Sequence, residues 1–121
     1  MGPAGSGLIV RDARRQDLPE IERIEAGSFE TDLLSRRSLG RLIGAATCDL
    51  LVAERARRIL GYALIFYRRG AQVARLYSLA TDANARGAGV GRRLLEASLE
   101  AAARRGRRSL RLEVRESNEA A

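Results

Sequence analysis

Apolar residues change their spacing along this chain, and the changes mark its elements. Leu8-Ile9-Val10-Arg11 is a short apolar run that predicts a first strand. Leu18, Ile21, Ile24 and Phe29 then recur at helical intervals, and Leu39, Leu42 and Ile43 predict a second, shorter helix. Both have start signals. Asp17 can cap the first, with Pro19 in its opening turn and Glu20 three residues on, and Ser35 can cap the second. From Leu50 the pattern becomes strand-like. Leu50–Ala53, Ile59–Tyr67 and Gln72–Ala80 are separated by the charged stretch Glu54–Arg58 and by Arg68-Arg69-Gly70. Strands joined by short polar turns predict an antiparallel meander.

The last third returns to helical spacing. Val90, Leu94, Leu95, Leu99 and Ala102 predict a helix over residues 90–105, with Arg92–Glu96 and Glu100–Arg104 pairing outside and Gly106 as its stop. Ser109 to Arg115 then alternates. Leu110, Leu112 and Val114 point one way; Arg111, Glu113 and Arg115 point the other. A strand, loop, helix and strand in this order predict a parallel pair. The fold class is α/β, with a mixed sheet of α+β character.

The length, 121 residues, is that of one domain. Residues 1–7, rich in glycine, read as a flexible tail and residues 8–121 as the domain. No apolar run approaches the ~18 residues that would span a bilayer, and the start lacks a signal peptide's charged head and apolar stretch. With one cysteine, Cys48, no internal disulfide can form, which fits a cytoplasmic setting. Cys48 itself reads as a small core residue. The absence of histidine removes Ser-His-Asp and Cys-His catalysis and the usual zinc sites, so no metal centre is expected. A net charge of +7, carried by arginine with no lysine, favours an anionic partner.

A loop between the third meander strand and the long helix offers a place for such an anion. Gly87, Gly89 and Gly91 alternate within Arg86-Gly87-Ala88-Gly89-Val90-Gly91, with Arg92 and Arg93 following. Glycine admits positive φ and close backbone approach, and a helix start presents free N–H groups and a positive dipole end. The Walker pattern fails because Arg92 follows Gly91 where a lysine is needed. The dinucleotide fingerprint fails because Arg92 stands where its third glycine belongs. By itself the loop is either a phosphate cradle or a tight strand-to-helix turn.

Longer stretches narrow the choice. Leu76-Tyr77-Ser78-Leu79-Ala80-Thr81-Asp82, the Arg86–Gly91 loop, Gly91-Arg92-Arg93-Leu94-Leu95, Ala103-Arg104-Arg105-Gly106 and Leu110 through Asn118 together resemble the GNAT superfamily of N-acetyltransferases, and within it the RimI-type branch that acetylates protein N-terminal amines. The resemblance runs from Ile9 onward and is strongest from Leu76 to Asn118. It implies the GNAT fold and acetyl-CoA as cofactor, with transfer of acetyl to a primary amine on a protein or peptide N-terminus. By the same resemblance, backbone at Leu79, Ala80 and Thr81 holds the pantetheine arm, Arg86, Gly87, Ala88, Gly89, Val90, Gly91 and Arg92 hold the pyrophosphate, Asn118 contacts the cofactor, and Glu113 is the general base. On alternation alone, Glu113 reads rather as part of a solvated ladder with Arg111 and Arg115, and it is the resemblance that makes it the base.

The matching stretch stops before the family's further helix and C-terminal hairpin. The tyrosine that protonates the departing thiolate has no counterpart, and Tyr62, Tyr67 and Tyr77 read as sheet packing. The expectation is therefore a partial domain: a fragment of a longer acetyltransferase, or a homodimer completed through the exposed edge of the last strand. Glu30 and Asp32 could attract a cationic amine. A non-catalytic module that binds coenzyme A shares the loop and is the alternative. Nucleic-acid binding ranks last, since two phenylalanines and no tryptophan offer few stacking platforms.

Overall fold

The structure, a computed structural model, describes residues 7–28, 34–85 and 87–113. Five strands, β1 (Ile9–Asp12), β2 (Cys48–Arg55), β3 (Arg58–Phe66), β4 (Val73–Thr81) and β5 (Ser109–Leu112), form one sheet in sequence order. The pairs are antiparallel from β1 to β4 and parallel between β4 and β5. Helices α1 (Leu18–Ser28) and α2 (Arg36–Leu42) precede β2, and α3 (Val90–Arg104) connects β4 to β5. This is the mixed α/β sheet that the spacing predicts.

Strand alternation sorts the core into two layers. Leu50, Val52, Tyr62 and Leu64 face the layer filled by Leu18, Ile21 and Ile24 of α1 and Leu39 of α2. Leu51, Ala53, Ala63, Ile65 and Leu76 face Val90, Leu94, Ala97 and Ala101 of α3. The middle strands are buried on both faces, so their sequence reads as nearly unbroken apolar runs.

Several boundaries and faces differ from the sequence reading. The β2–β3 hairpin is tighter than the charged run suggested. Arg55 pairs with Arg58, and only Ala56 and Arg57 turn, both at positive φ. Asp17 does not cap α1. Its carboxylate, buried, accepts the Arg14 amide at 2.7 Å and the Arg11 guanidinium at 2.8 Å. Burial pushes that carboxyl up, but those bonds outweigh it and hold it below the usual carboxylate range. Ser35 does cap α2, accepting the Ser38 amide at 3.0 Å. In α3 the buried face is Val90, Leu94, Ala97, Ser98 and Ala101, and Leu99 is 51% exposed. The small residues let the helix lie close to the sheet, which turns Leu99 outward. Arg92 and Glu96 approach at 3.5 Å, whereas no ion pair joins Glu100 to Arg104. Leu112 of β5 is also exposed, and Val114 and Phe29 lie outside the described residues.

Two contacts fix α3. At its end Arg107 N–H donates to Ala102 O and Gly106 N–H to Ala103 O, closing a Schellman turn. The next arginine back, Arg105, reaches β2. It donates to Asp49 at 3.0 Å and to Ala46 O at 2.7 Å, and lies over the Tyr67 ring. Near its start, α3 rests on Gly61 of β3. Among the described residues no helix is long and apolar enough to cross a membrane.

The Gly61 contact is testable. A Cβ there would stand 2.8 Å from Ala80 O and 2.9 Å from Leu94 Cδ1. Gly61→Ala is expected to cost about 1–3 kcal/mol through overpacking, read as a lower urea midpoint at unchanged m-value.

A cleft at the open edge of the fourth strand

The site begins with a ladder that stops partway. β5 follows β4 from Val73 to Leu76, and Glu113 N–H donates to Leu76 O at 2.9 Å. Among the described residues nothing continues this pairing beyond Leu76. The other edge of β4 stays paired to β3 through Thr81.

A bulge lies at the same place. Ile65 pairs with Leu76 and Leu64 with Ser78, so Tyr77 is the extra residue. Two neighbours therefore project onto one face. Tyr77 packs edge-on against Phe66 with ring centroids 5.5 Å apart, and Ser78 Oγ lies 3.0 Å from the Tyr62 hydroxyl. Past the bulge, Asp82 N–H donates to Leu60 O at 2.8 Å, toward β3. Alternation back along the strand turns the backbone groups of Thr81 and Leu79 to the opposite, open edge.

The chain then reverses toward α3. Asp82 accepts the Asn84 amide and the Arg23 guanidinium, each at 3.1 Å, and Ala85 N–H donates to Asp82 O. The Asn84 bond, with Arg23 beside it, outweighs burial and holds the Asp82 carboxyl below its usual range. Gly87 and Gly89 follow at φ 82° and 78°. A Cβ at either would meet nothing within 4 Å, so the loop backbone is uncovered. The first helical bond of α3 runs from Arg93 N–H to Gly89 O. The amides of Val90, Gly91 and Arg92 therefore have no acceptor in the helix and carry its positive end.

These parts enclose a cleft of about 480 Å³ lined by Leu79, Ala80, Thr81, Ala85, Gly87, Gly89, Val90, Gly91, Arg92 and Ser28. A Cβ on Gly91 would stand 3.7 Å from Thr81 and 3.8 Å from Leu79 and would fill the gap between strand and helix. Open strand edge, bare loop and helix start fit a long ligand with an amide-bearing arm and an anionic end. Coenzyme A has both.

Of the residues expected around the cofactor, the cleft gathers Leu79, Ala80, Thr81, Gly87, Gly89, Val90, Gly91 and Arg92. Ala88 lines an adjoining hollow with Arg55, Arg58 and Asp82. Arg86 and Asn118 lie outside the described residues, as do Glu30 and Asp32. Glu113 sits apart, in a separate hollow with Arg68, Arg75 and Arg111. Its carboxylate accepts Arg75 at 2.8 Å and Arg111 at 3.4 Å, and the Arg75 bond chiefly holds it below the ordinary glutamate range.

Ser28, Ala85 and the buried carboxylate of Glu25 were not singled out by sequence. The available signal was Glu25's place four residues after Ile21 on the apolar stripe of α1. Tyr62 and Tyr67 are buried in the sheet, with hydroxyls donating to Glu25 and Asp49. Cys48 is buried, its thiol pushed up by that burial and donating to Leu42 O, as suits a core residue.

The acetyltransferase (GNAT) family model matches residues 11–121. No curated protein sequence matches the chain. Among solved structures, the ribosomal-protein-S18-alanine N-acetyltransferase from Escherichia coli superposes with a TM-score of 0.73 at 20% identity, covering 87% of this chain and 65% of that one. A GCN5-related N-acetyltransferase from Kribbella flavida gives 0.72 at 30% identity, covering 88% and 71%. An aminoglycoside acetyltransferase from an uncultured soil metagenomic sample, in complex with sisomicin, gives 0.71 at 20%, covering 91% and 79%. Likenesses at 20% identity speak to the fold. The match over residues 11–121 speaks to descent: the chain belongs to the acetyltransferase (GNAT) family.

Proposed function

We propose that this chain transfers acetyl from acetyl-CoA to a primary amine, and that the amine is a protein N-terminus. The observation that carries the transfer reading is the cleft. It puts an uncovered strand edge beside a glycine loop and a free helix start, and family members use acetyl-CoA. The N-terminal acceptor is supported by the RimI-like blocks from Leu76 to Asn118, and the fold neighbours include a ribosomal-protein N-acetyltransferase. The aminoglycoside acetyltransferase among those neighbours marks a small-molecule amine as the competing acceptor.

Acetyl-CoA supplies an activated thioester. The chain's residues bind and orient it. The amides of Val90, Gly91 and Arg92, with Gly87 through Gly89, hold the pyrophosphate, and Arg86 and Arg92 add charge. Open backbone from Leu79 to Thr81 takes the pantetheine amides as an added strand would. An N–H there would serve to polarise the carbonyl of a bound thioester. Asn118 belongs to the same cofactor set. Glu113 accepts the proton of the attacking amine. Leu76, its partner on β4, lies about 10 Å along the strand from Leu79, so the proton moves through water.

Two results test this. Calorimetry is expected to show acetyl-CoA binding that Gly91→Glu weakens by at least about 100-fold, since the side chain fills the cleft and adds a charge beside the pyrophosphate. Tight binding without turnover of either N-terminal peptides or small-molecule amines would make the chain a coenzyme A-binding module. The second result concerns Glu113. Arg75 lowers its folded-state pKa, so the contact contributes above the ordinary glutamate pKa and is lost as pH falls through the lowered value. Arg75→Ala is expected to raise the Glu113 carboxyl titration, followed by carbon NMR, toward the ordinary ~4.3.

A further inference from the structure

The hollow that holds Glu113 has a volume of about 350 Å³, and the chemistry proposed above uses only its one acid. Its charged lining is Arg68, Arg75, Arg111 and Glu113, three guanidiniums against one carboxylate, so two positive charges are left over. Glu113 answers two of the three arginines, accepting Arg75 Nε at 2.8 Å and Arg111 Nη1 at 3.4 Å. Among the described residues Arg75 donates through Nε alone, and Arg68 has no acidic partner.

Local structure brings these side chains together. Ala74 and Leu76 pack in the layer against α3, so alternation turns Val73 and Arg75 to the other face of β4. Arg75 is in register with Arg111 of β5, and residues opposite each other on paired strands share a face. Arg68 enters the β3–β4 turn, where Ala71 N–H donates to Arg68 O at 3.1 Å, and from there it lines the hollow beside Val73. Helix α1 packs on this same face of the sheet, and its Ser28 lines the cleft. The hollow therefore lies back along β4 from the cleft. Glu113, bonded to Leu76 O, is at the nearer end, and Arg68 is at the far end.

A guanidinium presents a planar fork that matches the two oxygens of a carboxylate. An uncompensated pair of such charges favours an anion over a cation or an apolar group. Distance says where on the acceptor that anion would be. Arg75 stands four residues before Leu79, about 13 Å along the strand, and an extended peptide covers that span in about four residues. We infer that the Arg68–Arg75–Arg111 hollow takes an acidic side chain of the acceptor, carried about three to six residues after its N-terminal amine. This rests on the acetyl-transfer reading and deepens it: the substrates are protein N-termini with an early aspartate or glutamate.

The full chain is assayed with acetyl-CoA and two peptides that begin with a free alanine and differ only at the fifth residue, glutamate or lysine. The glutamate peptide is expected to have a KM about tenfold lower. Arg68→Ala is expected to raise that KM about fivefold, with kcat and the acetyl-CoA Kd within about twofold of wild type, since Arg68 is exposed and lies away from the reacting atoms. Arg37→Ala removes the same charge from α2 and is expected to leave the KM unchanged. Equal KM values for the two peptides would overturn the proposal. So would equal responses to Arg68→Ala and Arg37→Ala, the mark of attraction by overall charge alone. A wild-type chain that binds acetyl-CoA and turns over no amine would instead overturn the acetyl-transfer reading. Amide shifts then test the hollow by itself: adding the glutamate peptide is expected to move Ala71, Val73 and Arg75, and unmoved amides there would show that the hollow takes no acid.

Discussion

Among the described residues, strands β4 and β5 share hydrogen bonds only as far as Leu76, and the site lies beyond that point. Buried backbone N–H and C=O groups need partners. A strand paired on one edge and open on the other presents a row of donors and acceptors to whatever lies beside it. From Leu79 to Thr81 the open row faces a cleft, and the start of α3 closes the far side. Continued pairing along the whole strand would seal this edge. The bulge at Tyr77 contributes by placing Tyr77 and Ser78 on one face, where Ser78 meets Tyr62 and the buried end of Glu25.

The rest of the fold holds that opening in place. α3 lies close to the sheet because its inner face is built from Ala97, Ser98 and Ala101 and because Gly61 leaves room beneath Leu94. Its end is tied to β2 by Arg105 through Asp49 and the ring of Tyr67. Its start is aimed by the turn that Asp82 organises with Asn84 and Arg23. The helix cannot slide along the strand without breaking one of these. The electrostatics agree with the geometry: a positive helix end, bare loop amides and Arg92 lie on one side of the cleft.

Much of this was legible in the chain. Unbroken apolar runs marked the inner strands, and the three alternating glycines marked the loop. The longer blocks around them carried the family. What escaped has a common cause: it depends on which residues meet across the sheet. Spacing counted Leu99 as core, yet small neighbours rotated α3 and exposed it. The charged run Glu54–Arg58 looked like a loop, yet pairing carries the strands to Arg55 and Arg58. Asp17 was read as a local cap, but Arg11 and the Arg14 amide draw it backward. Glu25 gave only the weak signal of an acid on an apolar stripe, because its partners lie 9 and 37 residues away. Glu113 lies in a hollow apart from the cleft, held by Arg75, which no pattern local to β5 could supply.

The central claim is that the open edge of β4, the glycine loop and the start of α3 form one binding site. Backbone amide chemical shifts recorded as acetyl-CoA is added test it most directly. The account predicts the largest changes at Leu79, Ala80 and Thr81 and from Gly87 to Arg92, saturating together with one affinity. Changes concentrated elsewhere, such as around the exposed arginines Arg15, Arg37 and Arg41 at the far end of α1, would contradict it, as would loop shifts that leave the Leu79–Thr81 amides unmoved.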